Sequence, residues 1–274
     1  MGKIQFGIVC FRVLYWECES YISLVRSYIL NNKGEFLNIF VFDNTDFHEW
    51  FDHHPTLPPF VRINYIRARD NPGISKAYNA IAEFSSMQRM DWIVFLDQDT
   101  ALPENFYSVY SGFAQSATKG IAVPTVYSDR KLISPSYYRF FRTAEIREVP
   151  EDSLKLQNIT CINSGLMISV NDFYRIGKYN EKLRLDFCDH EFIERASKKI
   201  RDIHILNIRL YQDFSTDSND ISSALFRYGL FIKDLKTYQN IHHHNPLVLL
   251  FVDLPHLLRL TLQYRSLLFI KKRF

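Results

Sequence analysis

The sequence predicts an α/β protein built on a mainly parallel sheet flanked by helices, followed by a helical C-terminal appendage. Two observations support this prediction. Short β-rich segments alternate with helical patterns through the first half of the chain, and strand patterns stop near residue 217. Strands that alternate with helices are typical of a parallel sheet covered on both faces. With 274 residues, of which 47% are hydrophobic, the chain is long enough to bury such a core.

Five short apolar segments predict the strands of the sheet, and two helical faces lie between them. The strands are expected at residues 5–10, 37–42, 61–66, 92–96 and 121–126, with a further strand from Ile159. Apolar residues that recur with the helical period predict the helices. One face consists of Tyr21, Leu24, Val25, Tyr28 and Ile29, and the other, after Gly73, consists of Ala77, Ala80, Ile81 and Phe84.

The last part of the chain is helical in pattern. Leu225, Tyr228, Gly229, Ile232 and Leu235 are spaced for one helix face. We therefore divide the chain into a sheet domain over residues 1–215 and a helical appendage over residues 216–274. No Gly/Ser-rich linker separates the two parts, so the appendage is expected to pack on the sheet domain.

Composition and charge exclude several classes of protein. The 33 basic and 30 acidic residues give a net charge of +3, too small to indicate nucleic acid binding. Four scattered cysteines without a CxxC pair favour neither a zinc ribbon nor a disulfide scaffold, and they suit the cytoplasm. No secretion signal is recognisable, and no apolar run reaches the roughly 18 residues of a membrane span. No GxGxxG motif follows a strand, which argues against a dinucleotide-dependent oxidoreductase.

Two carboxylates stand directly after the fourth predicted strand, in the segment Trp92-Ile-Val-Phe-Leu-Asp97-Gln-Asp99. Ligands of parallel sheets bind beyond the carboxyl ends of the strands, so these residues are candidates for a site. Carboxylate oxygens are hard ligands that suit Mg²⁺ or Mn²⁺, and such an ion can also hold a diphosphate. The alternative is a polar turn in which Asp99 caps the next helix.

Two other polar segments follow predicted strands. Asp43-Asn44 comes after the second strand, where the two side chains could bind a base or ribose or could form an Asx turn. The segment from Asn71 through Gly73 to Asn79 begins a helix at a glycine. The free N–H groups of that helix N-terminus could bind an anion, or the segment could be a simple helix start.

A fourth segment, residues 183–195, has clustered acids at Asp186, Asp189 and Glu191. Like-charged neighbours can raise the pKa of a carboxylate and prepare it to act as a general base. A solvated acidic helix start is the alternative.

Taken together and in this order, these segments resemble the family 2 inverting glycosyltransferases, in particular the rhamnosyltransferase-like bacterial branch. The resemblance rests on residues 7–11 and 17–24, on Asn-Pro-Gly-Ile-Ser-Lys-Ala-Tyr-Asn at 71–79 and on Phe-Leu-Asp-Gln-Asp-Thr at 95–100. It covers roughly residues 4–215. It implies the A-type glycosyltransferase fold, with residues 1–215 as the catalytic domain.

The same resemblance implies an activity. The enzyme would use a divalent metal, Mg²⁺ or Mn²⁺, and transfer a sugar with inversion from a nucleotide-diphosphate donor, with dTDP-rhamnose favoured. The acceptor would be a hydroxyl of a growing cell-surface polysaccharide or lipid-linked glycan. Such an enzyme would act in the cytoplasm or at the inner face of the plasma membrane.

The resemblance also assigns roles to individual residues. Donor binding falls to Asp43, Asn44, Asn71, Gly73, Asn79 and Asp97, with Asp99 as the direct metal ligand beside Asp97. Asn163, Ser164 and Gly165 would lie near the sugar and the acceptor. Asp189 aligns with the catalytic base in an Asp-His-Glu version of the motif, and Glu191 would help to position the acceptor.

One position departs from the family pattern. Many relatives have a histidine metal ligand in a segment that resembles residues 211–215, and here that position holds Gln212. Glutamine offers a carbonyl oxygen in place of an imidazole nitrogen. His204 is the alternative counterpart.

The last 20 residues, 255–274, combine five basic residues with many leucines and contain no acid. A basic helix with a broad apolar face can lie on an anionic membrane surface, which would bring the enzyme to a lipid-linked acceptor. The alternative is a helix packed on the protein's own core with its basic residues in solvent.

Two other functions remain open at this stage. A sugar nucleotidyltransferase would use a similar sheet and metal, but residues 7–12 are a poor match to the phosphate loop it needs. A non-catalytic protein that binds nucleotide sugars or carbohydrate is the other, because fold does not fix function.

Overall fold

The computed structural model describes residues 2–31, 34–46, 55–212 and 220–274. The strands are β1 (Ile4–Cys10), β2 (Leu37–Asp43), β3 (Val61–Arg67), β4 (Trp92–Asp97), β5 (Ile121–Ser128), β6 (Lys131–Ser134), β7 (Ser136–Arg139), β8 (Arg142–Glu145), β9 (Ser153–Lys155), β10 (Ile159–Thr160), β11 (Met167–Ser169) and β12 (Asp202–Tyr211). The helices are α1 (Glu19–Asn31), α2 (Ile74–Met87), α3 (Phe106–Ser116), α4 (Val170–Ile176), α5 (Cys188–Ser197), α6 (Ile221–Ile241), α7 (Pro246–Val248), α8 (Leu254–Gln263) and α9 (Leu268–Arg273). A 3₁₀ turn (Tyr15–Glu17) precedes α1, and a π-helical turn (Leu249–Asp253) joins α7 to α8.

The main sheet has the strand order β3-β2-β1-β4-β11-β5-β12-β9, with β6 paired to β5. β1 to β4 are mutually parallel, and β12 is parallel to β5. β11 is inserted antiparallel between β4 and β5. Because β11 runs against its neighbours, the residues just before it lie at the edge where β4 ends.

Helices cover both faces of the sheet, as the near-continuous apolar strands require. On one face α1 and α3 pack through Leu24 and Phe106. On the other face α2, α4 and α5 pack through residues such as Ile81, Phe173 and Phe192. The mainly parallel α/β architecture predicted from the sequence is therefore confirmed.

The five predicted strands all form, with bounds that differ by at most two residues. The strand expected from Ile159 has two residues and belongs to a separate antiparallel sheet of order β10-β7-β8. The buried face of α1 includes Leu24 and Ser27. The Ser27 hydroxyl accepts a hydrogen bond from the Tyr107 N–H of α3. Ile29, expected on that buried face, is instead 57% exposed.

The C-terminal helices share an apolar core with α2, α4 and α5, through residues that include Tyr228, Leu235, Leu257 and Phe269. The expected boundary between residues 215 and 216 lies outside the described residues. Among the described residues, one continuous helix, Pro246–Gln263, is long and apolar enough to cross a membrane by length and composition alone. The sequence predicts no span there, since its longest uninterrupted apolar run is shorter than roughly 18 residues and is broken by Asp253. In the structure Asp253 is fully buried and pairs with Arg273 at 2.6 Å.

Candidate active site at the carboxyl edge of the sheet

The topology brings the predicted polar segments to one edge of the sheet. Cys10 at the end of β1 pairs in register with Asp43, and Val9 pairs with Asp97. The antiparallel β11 starts at the same edge, where the Gly165 N–H donates to the Phe95 carbonyl at 2.8 Å. β12 also ends there, and the Gln212 N–H donates to the Tyr127 carbonyl at 3.0 Å. These contacts place residues from five strands at one edge of the sheet, which is the candidate site.

Asp97 is held by hydrogen bonds to both carboxylate oxygens. Oδ1 accepts from the Tyr78 hydroxyl at 2.8 Å, and Oδ2 accepts from the Ser164 hydroxyl at 2.5 Å. Burial first, and the Asp97 charge next, raise the pKa of Tyr78, so this hydroxyl stays a donor. Thr100 lies within hydrogen-bond distance of Ser164, at 3.0 Å. Sequence reasoning missed Tyr78, although it lies inside the matched segment 71–79.

Asp99 is exposed and lies beside Gln212. The Gln212 side-chain nitrogen donates to Asp99 Oδ1 at 3.5 Å. Gln212 is 8% exposed, and its side-chain oxygen is buried with no hydrogen-bond partner. Asp99 does not cap the next helix, because α3 begins at Phe106 with Asn105 at its N-cap position.

His204 lies far from this edge. It pairs in register with Ala122 near the start of β5, and its ring packs on Phe113 of α3 at 5.1 Å. Seven residues of strand separate it from Tyr211, or roughly 20 Å at about 3.3 Å per residue. Of the two alternatives, Gln212 is the one that lies beside Asp99.

No three His, Cys, Asp or Glu side chains cluster closely enough to hold a metal ion in the described part of the chain. A cation at this edge would therefore take ligands from Asp99 and from uncharged oxygens. The buried, unpartnered oxygen of Gln212 is such a ligand, and oxygen donors suit Mg²⁺ and Mn²⁺. The residues present fit a hard cation that draws its other ligands from substrate or water.

Asp43 is 6% exposed, and its side chain forms a local turn of the Asx type, the alternative to ligand binding considered for this segment. Its Oδ1 accepts from the Thr45 N–H at 2.8 Å, and its Oδ2 accepts from the Tyr65 hydroxyl at 2.6 Å. The side-chain oxygen of Asn44 is buried without a hydrogen-bond partner, as are Nε and Nη2 of Arg67. Arg67 ends β3 in register with Asp43. Unsatisfied buried donors and acceptors are costly, so these groups are prepared for a polar ligand.

Arg67 was missed from the sequence. Its position, as the last residue of the strand next to β2, is the signal that could have identified it.

The segment 71–79 packs against the loop that leads to α5. Gly73 has φ of +100°, and the Ile74 N–H donates to the Arg184 carbonyl at 2.6 Å. The Arg184 guanidinium donates in turn to the Asn71 carbonyl. The first N–H of α2 is therefore used within the protein, which supports the simple helix start over an anion site at that group.

Asn79 is also engaged within the protein. Its side chain exchanges hydrogen bonds with the Tyr179 backbone at 2.9 and 3.0 Å and donates to Glu181 at 2.9 Å. It braces the loop 179–181 against α2 and has no free donor aimed at a ligand.

Asp189 lies in the first turn of α5, with 21% of its side chain exposed. Its Oδ1 accepts from the His190 N–H at 2.8 Å. The His190 ring is fixed by Thr160 at 2.7 Å and by stacking on Tyr138 at 4.6 Å. Asp189 therefore presents a partly exposed carboxylate on a well-supported helix start.

Asn163 and Tyr179 lie between the segments that carry Asp97 and Asp189 in the candidate site. Asn163 Oδ1 accepts from the Tyr179 hydroxyl at 2.6 Å, and Asn163 Nδ2 lies 3.9 Å from the sulfur of Cys188. Burial raises the pKa of Tyr179, and the charges of both Asp189 and Asp97 add to that rise. The Tyr179 hydroxyl therefore stays protonated and donates to Asn163.

Glu191 is 5% exposed, and both of its oxygens accept from the Arg195 guanidinium at 2.6 and 2.7 Å. Arg195 also donates to the carbonyls of Ile176 and Lys178. This pairing fixes α5 against the end of α4, and it leaves Glu191 inside the protein, away from the partly exposed Asp189.

The chain matches known glycosyltransferases in sequence. The family described as Glycosyl transferase family 2 matches residues 17–175, which is more than half of the chain. A dTDP-rhamnosyl transferase, RfbF of Shigella flexneri, is 28% identical over 155 residues, or 55% of this chain and 51% of the relative. The chain thus spans about half the length of that curated relative.

Solved structures show the same fold at low sequence identity. Residues 1–349 of S. aureus TarS match with a TM-score of 0.52 at 12% identity, over 87% of this chain and 66% of that one. GalNAc-T7, solved with UDP, GalNAc and Mn²⁺, matches with a TM-score of 0.55 at 11% identity, over 90% and 56%. The architecture is the A-type glycosyltransferase fold. The chain belongs to glycosyl transferase family 2.

Proposed function

We propose that this glycosyltransferase moves rhamnose from dTDP-rhamnose, with inversion and with the help of a divalent metal, to a hydroxyl of a cell-surface polysaccharide or lipid-linked glycan. The observation that carries the proposal is that the segment 163–165 contacts both Asp97, through Ser164, and Cys188, the neighbour of Asp189, through Asn163, while Asp99 follows Asp97 at the same edge. The name of the curated relative supports the choice of dTDP-rhamnose as donor.

The donor nucleotide would lie over the ends of β1, β2 and β3. Asn44 and Arg67 have buried polar atoms without partners there, and Asp43 directly precedes Asn44 in sequence and pairs with Arg67 in register. These groups would bind the base, and Asp97 would bind the ribose. Asn71, Gly73 and Asn79 would shape the wall of the donor pocket through their contacts with the loop 179–184.

Asp99 and the side-chain oxygen of Gln212 would hold Mg²⁺ or Mn²⁺. The bound ion would supply Lewis-acid stabilisation of the charge that develops on the departing diphosphate. Both oxygens of Asp97 already accept hydrogen bonds, so we assign the direct contact to Asp99.

Asp189 would accept the proton of the acceptor hydroxyl as this oxygen attacks the sugar from the face opposite the diphosphate. A general base in such a position contributes about 10²- to 10⁴-fold in rate. Asn163, Ser164 and Gly165 lie between Asp97 and Asp189 and would border the sugar and the acceptor. Glu191 would act on the acceptor site only through Arg195, by fixing α5.

The outer surface of the C-terminal helices suits an anionic membrane. Leu250, Leu258 and Leu262 are 53%, 59% and 75% exposed, while Leu257 and Leu260 face the core. Basic residues Arg259, Arg265, Lys271 and Lys272 are also exposed, and the one acid of residues 246–274, Asp253, is buried. Apolar and basic groups on one surface are the features by which helices bind anionic lipid, and this surface would bring the enzyme to a lipid-linked acceptor.

The donor proposal is tested by incubating the protein and Mg²⁺ with a panel of nucleotide sugars. We expect slow release of dTDP from dTDP-rhamnose, faster than release of UDP from UDP-GlcNAc. Release of pyrophosphate from dTTP and a sugar phosphate would instead identify a nucleotidyltransferase. No turnover of any donor, with binding of dTDP retained, would favour the non-catalytic protein.

The membrane proposal is tested by co-sedimentation with vesicles that contain phosphatidylglycerol. Leu258→Glu with Leu262→Glu should abolish binding, whereas Ile29→Glu, at a comparably exposed leucine-sized residue of α1, should leave it unchanged. If the variant with Leu258→Glu and Leu262→Glu binds the vesicles as well as the Ile29→Glu control does, this surface is not the one that binds the membrane.

A further inference from the structure

One face of α6 contacts the segment that carries Asp189. Arg227, Phe231, Asp234 and Tyr238 are spaced by four, three and four residues, which places them on the same side of the helix. We call these four residues the α6 clamp. Each of the four has a partner within residues 184–194, in the loop before α5 or in the helix itself.

Asp234 is the centre of the clamp. It is 2% exposed, and its carboxylate accepts three backbone N–H groups, from Arg184 at 3.1 Å and from Leu185 and Asp186 at 2.8 Å each. A buried carboxylate is stable only when its charge is met by such donors. Three successive N–H groups that point at one carboxylate fix the path of the chain three residues before Asp189.

The next residue, Phe187, has an unfavourable backbone conformation. It has φ of +64°, a left-handed conformation that a bulky residue rarely adopts. Such a residue persists only when its surroundings determine it strongly. Its ring stacks on Tyr238 at 4.7 Å and packs on Phe231 at 5.5 Å, both from α6.

Two further contacts bracket Asp189. Upstream, the Arg227 guanidinium makes a two-pronged ion pair with Asp186, at 2.6 and 2.7 Å. Downstream, the Tyr238 hydroxyl donates to Glu194 at 2.9 Å. The clamp therefore holds α5 on both sides of the carboxylate without touching it.

We propose that the α6 clamp is the positioning element for Asp189, and that the C-terminal appendage is thereby part of the catalytic machinery. The proposal rests on the assignment of Asp189 as general base. Asp234 acts through the backbone of residues 184–186 and through Phe187 in its left-handed conformation. Together these residues set the direction in which the Asp189 side chain points from the first turn of α5.

The test compares Asp234→Asn with Asp220→Asn, which makes the same chemical change at the N-cap of the same helix, where Asn serves equally well. The readouts are turnover of dTDP-rhamnose to dTDP with Mg²⁺, affinity for dTDP, and thermal unfolding. We expect Asp234→Asn to lower turnover about 10- to 100-fold, because small misplacements of a catalytic group cost this much. Affinity for dTDP should change less than about twofold, and Asp220→Asn should behave like the unchanged protein.

A second comparison separates positioning from general damage. In an Asp189→Asn background, Asp234→Asn should cause no further loss, because residues that act as a unit are not additive. An equal loss in both backgrounds, or unchanged turnover of the folded single variant, would overturn the clamp. Should Asp234→Asn not fold, Arg227→Met tests the same coupling at a half-exposed site. Full turnover of Asp189→Asn itself would overturn the proposed base and, with it, the clamp.

Discussion

The half of the candidate site that is carried by strands (the strand half) and the half that is carried by α5 (the helix half) are fixed by different parts of the molecule. Asp97 ends a central strand, and its partners Tyr78 and Ser164 belong to elements that pack on or join that strand. Asp189 lies in the first turn of α5, and the loop before that helix is held by Asp234, which lies 45 residues farther along the chain than Asp189. The sheet and the elements next to β4 therefore position the first carboxylate, whereas the second also depends on α6.

This difference predicts that changes in the two halves will have separable effects. Damage to the strand half should weaken donor binding together with turnover. Damage to the helix half should reduce turnover or stability while the folded protein still binds nucleotide. The following changes test that separation, from the largest expected effect to the smallest.

Asp99→Asn should affect both properties of the strand half. Loss of a carboxylate ligand should lower turnover of dTDP-rhamnose by about 10²- to 10³-fold, since metal stabilisation of the leaving group is worth several kcal/mol. The Mg²⁺-dependent gain in dTDP affinity should also disappear, as measured by titration calorimetry with and without EDTA. A variant that keeps this Mg²⁺-dependent gain would remove Asp99 from the metal site.

Arg273→Met should destabilise the C-terminal helices, which support the helix half, without changing donor binding. Arg273 is the ion-pair partner of the fully buried Asp253, and removal of one member of a buried pair costs about 3 kcal/mol. The free energy of unfolding in urea should fall by this amount, while dTDP affinity below the transition should stay the same.

The matched control is Arg201→Met. Arg201 and Asp202 are 3.8 Å apart, with side chains 81% and 45% exposed. An exposed pair of this kind contributes at most about 1 kcal/mol. Equal losses in the two variants would show that the buried pair does not stabilise the C-terminal helices.

Gly73→Ala should disturb the contact at which the two halves meet. A Cβ there would lie 2.5 Å from the Arg184 carbonyl, and φ of +100° is unfavourable for any other residue. We expect a loss of about 2 kcal/mol in the free energy of unfolding. Gly112→Ala, in α3 with open space around the new Cβ, should be neutral or slightly stabilising. If Gly73→Ala leaves the free energy of unfolding unchanged, the loop at Arg184 can shift away from α2 at no cost in stability.

The strand half could be predicted from the sequence because its signals are local. Continuous apolar runs predict buried parallel strands, and polar residues directly after them, such as Asp43 and Asp97, must lie at one edge. The short strands β6 to β9 escaped prediction, since three- or four-residue strands of mixed polarity carry little periodic signal.

The roles of residues whose partners are distant along the chain could not be predicted from the sequence. Asp234 has no sequence signal, because its partners are backbone groups 48 to 50 residues away. The contacts of Asn79 could not be predicted either, because its partners lie 100 and 102 residues away. The Glu191–Arg195 pair is different: its four-residue helical spacing was visible in the sequence and could have indicated a structural role.

The central claim is that Asp97, Asp99 and Asp189 serve one reaction in separate roles. It is tested most directly by measuring, for Asp189→Asn, both the turnover of dTDP-rhamnose and the affinity for dTDP with Mg²⁺. Turnover should fall by about 10²- to 10⁴-fold while affinity stays within about twofold of the unchanged protein. Undiminished turnover, or a loss of nucleotide binding as large as the loss of turnover, would contradict the account.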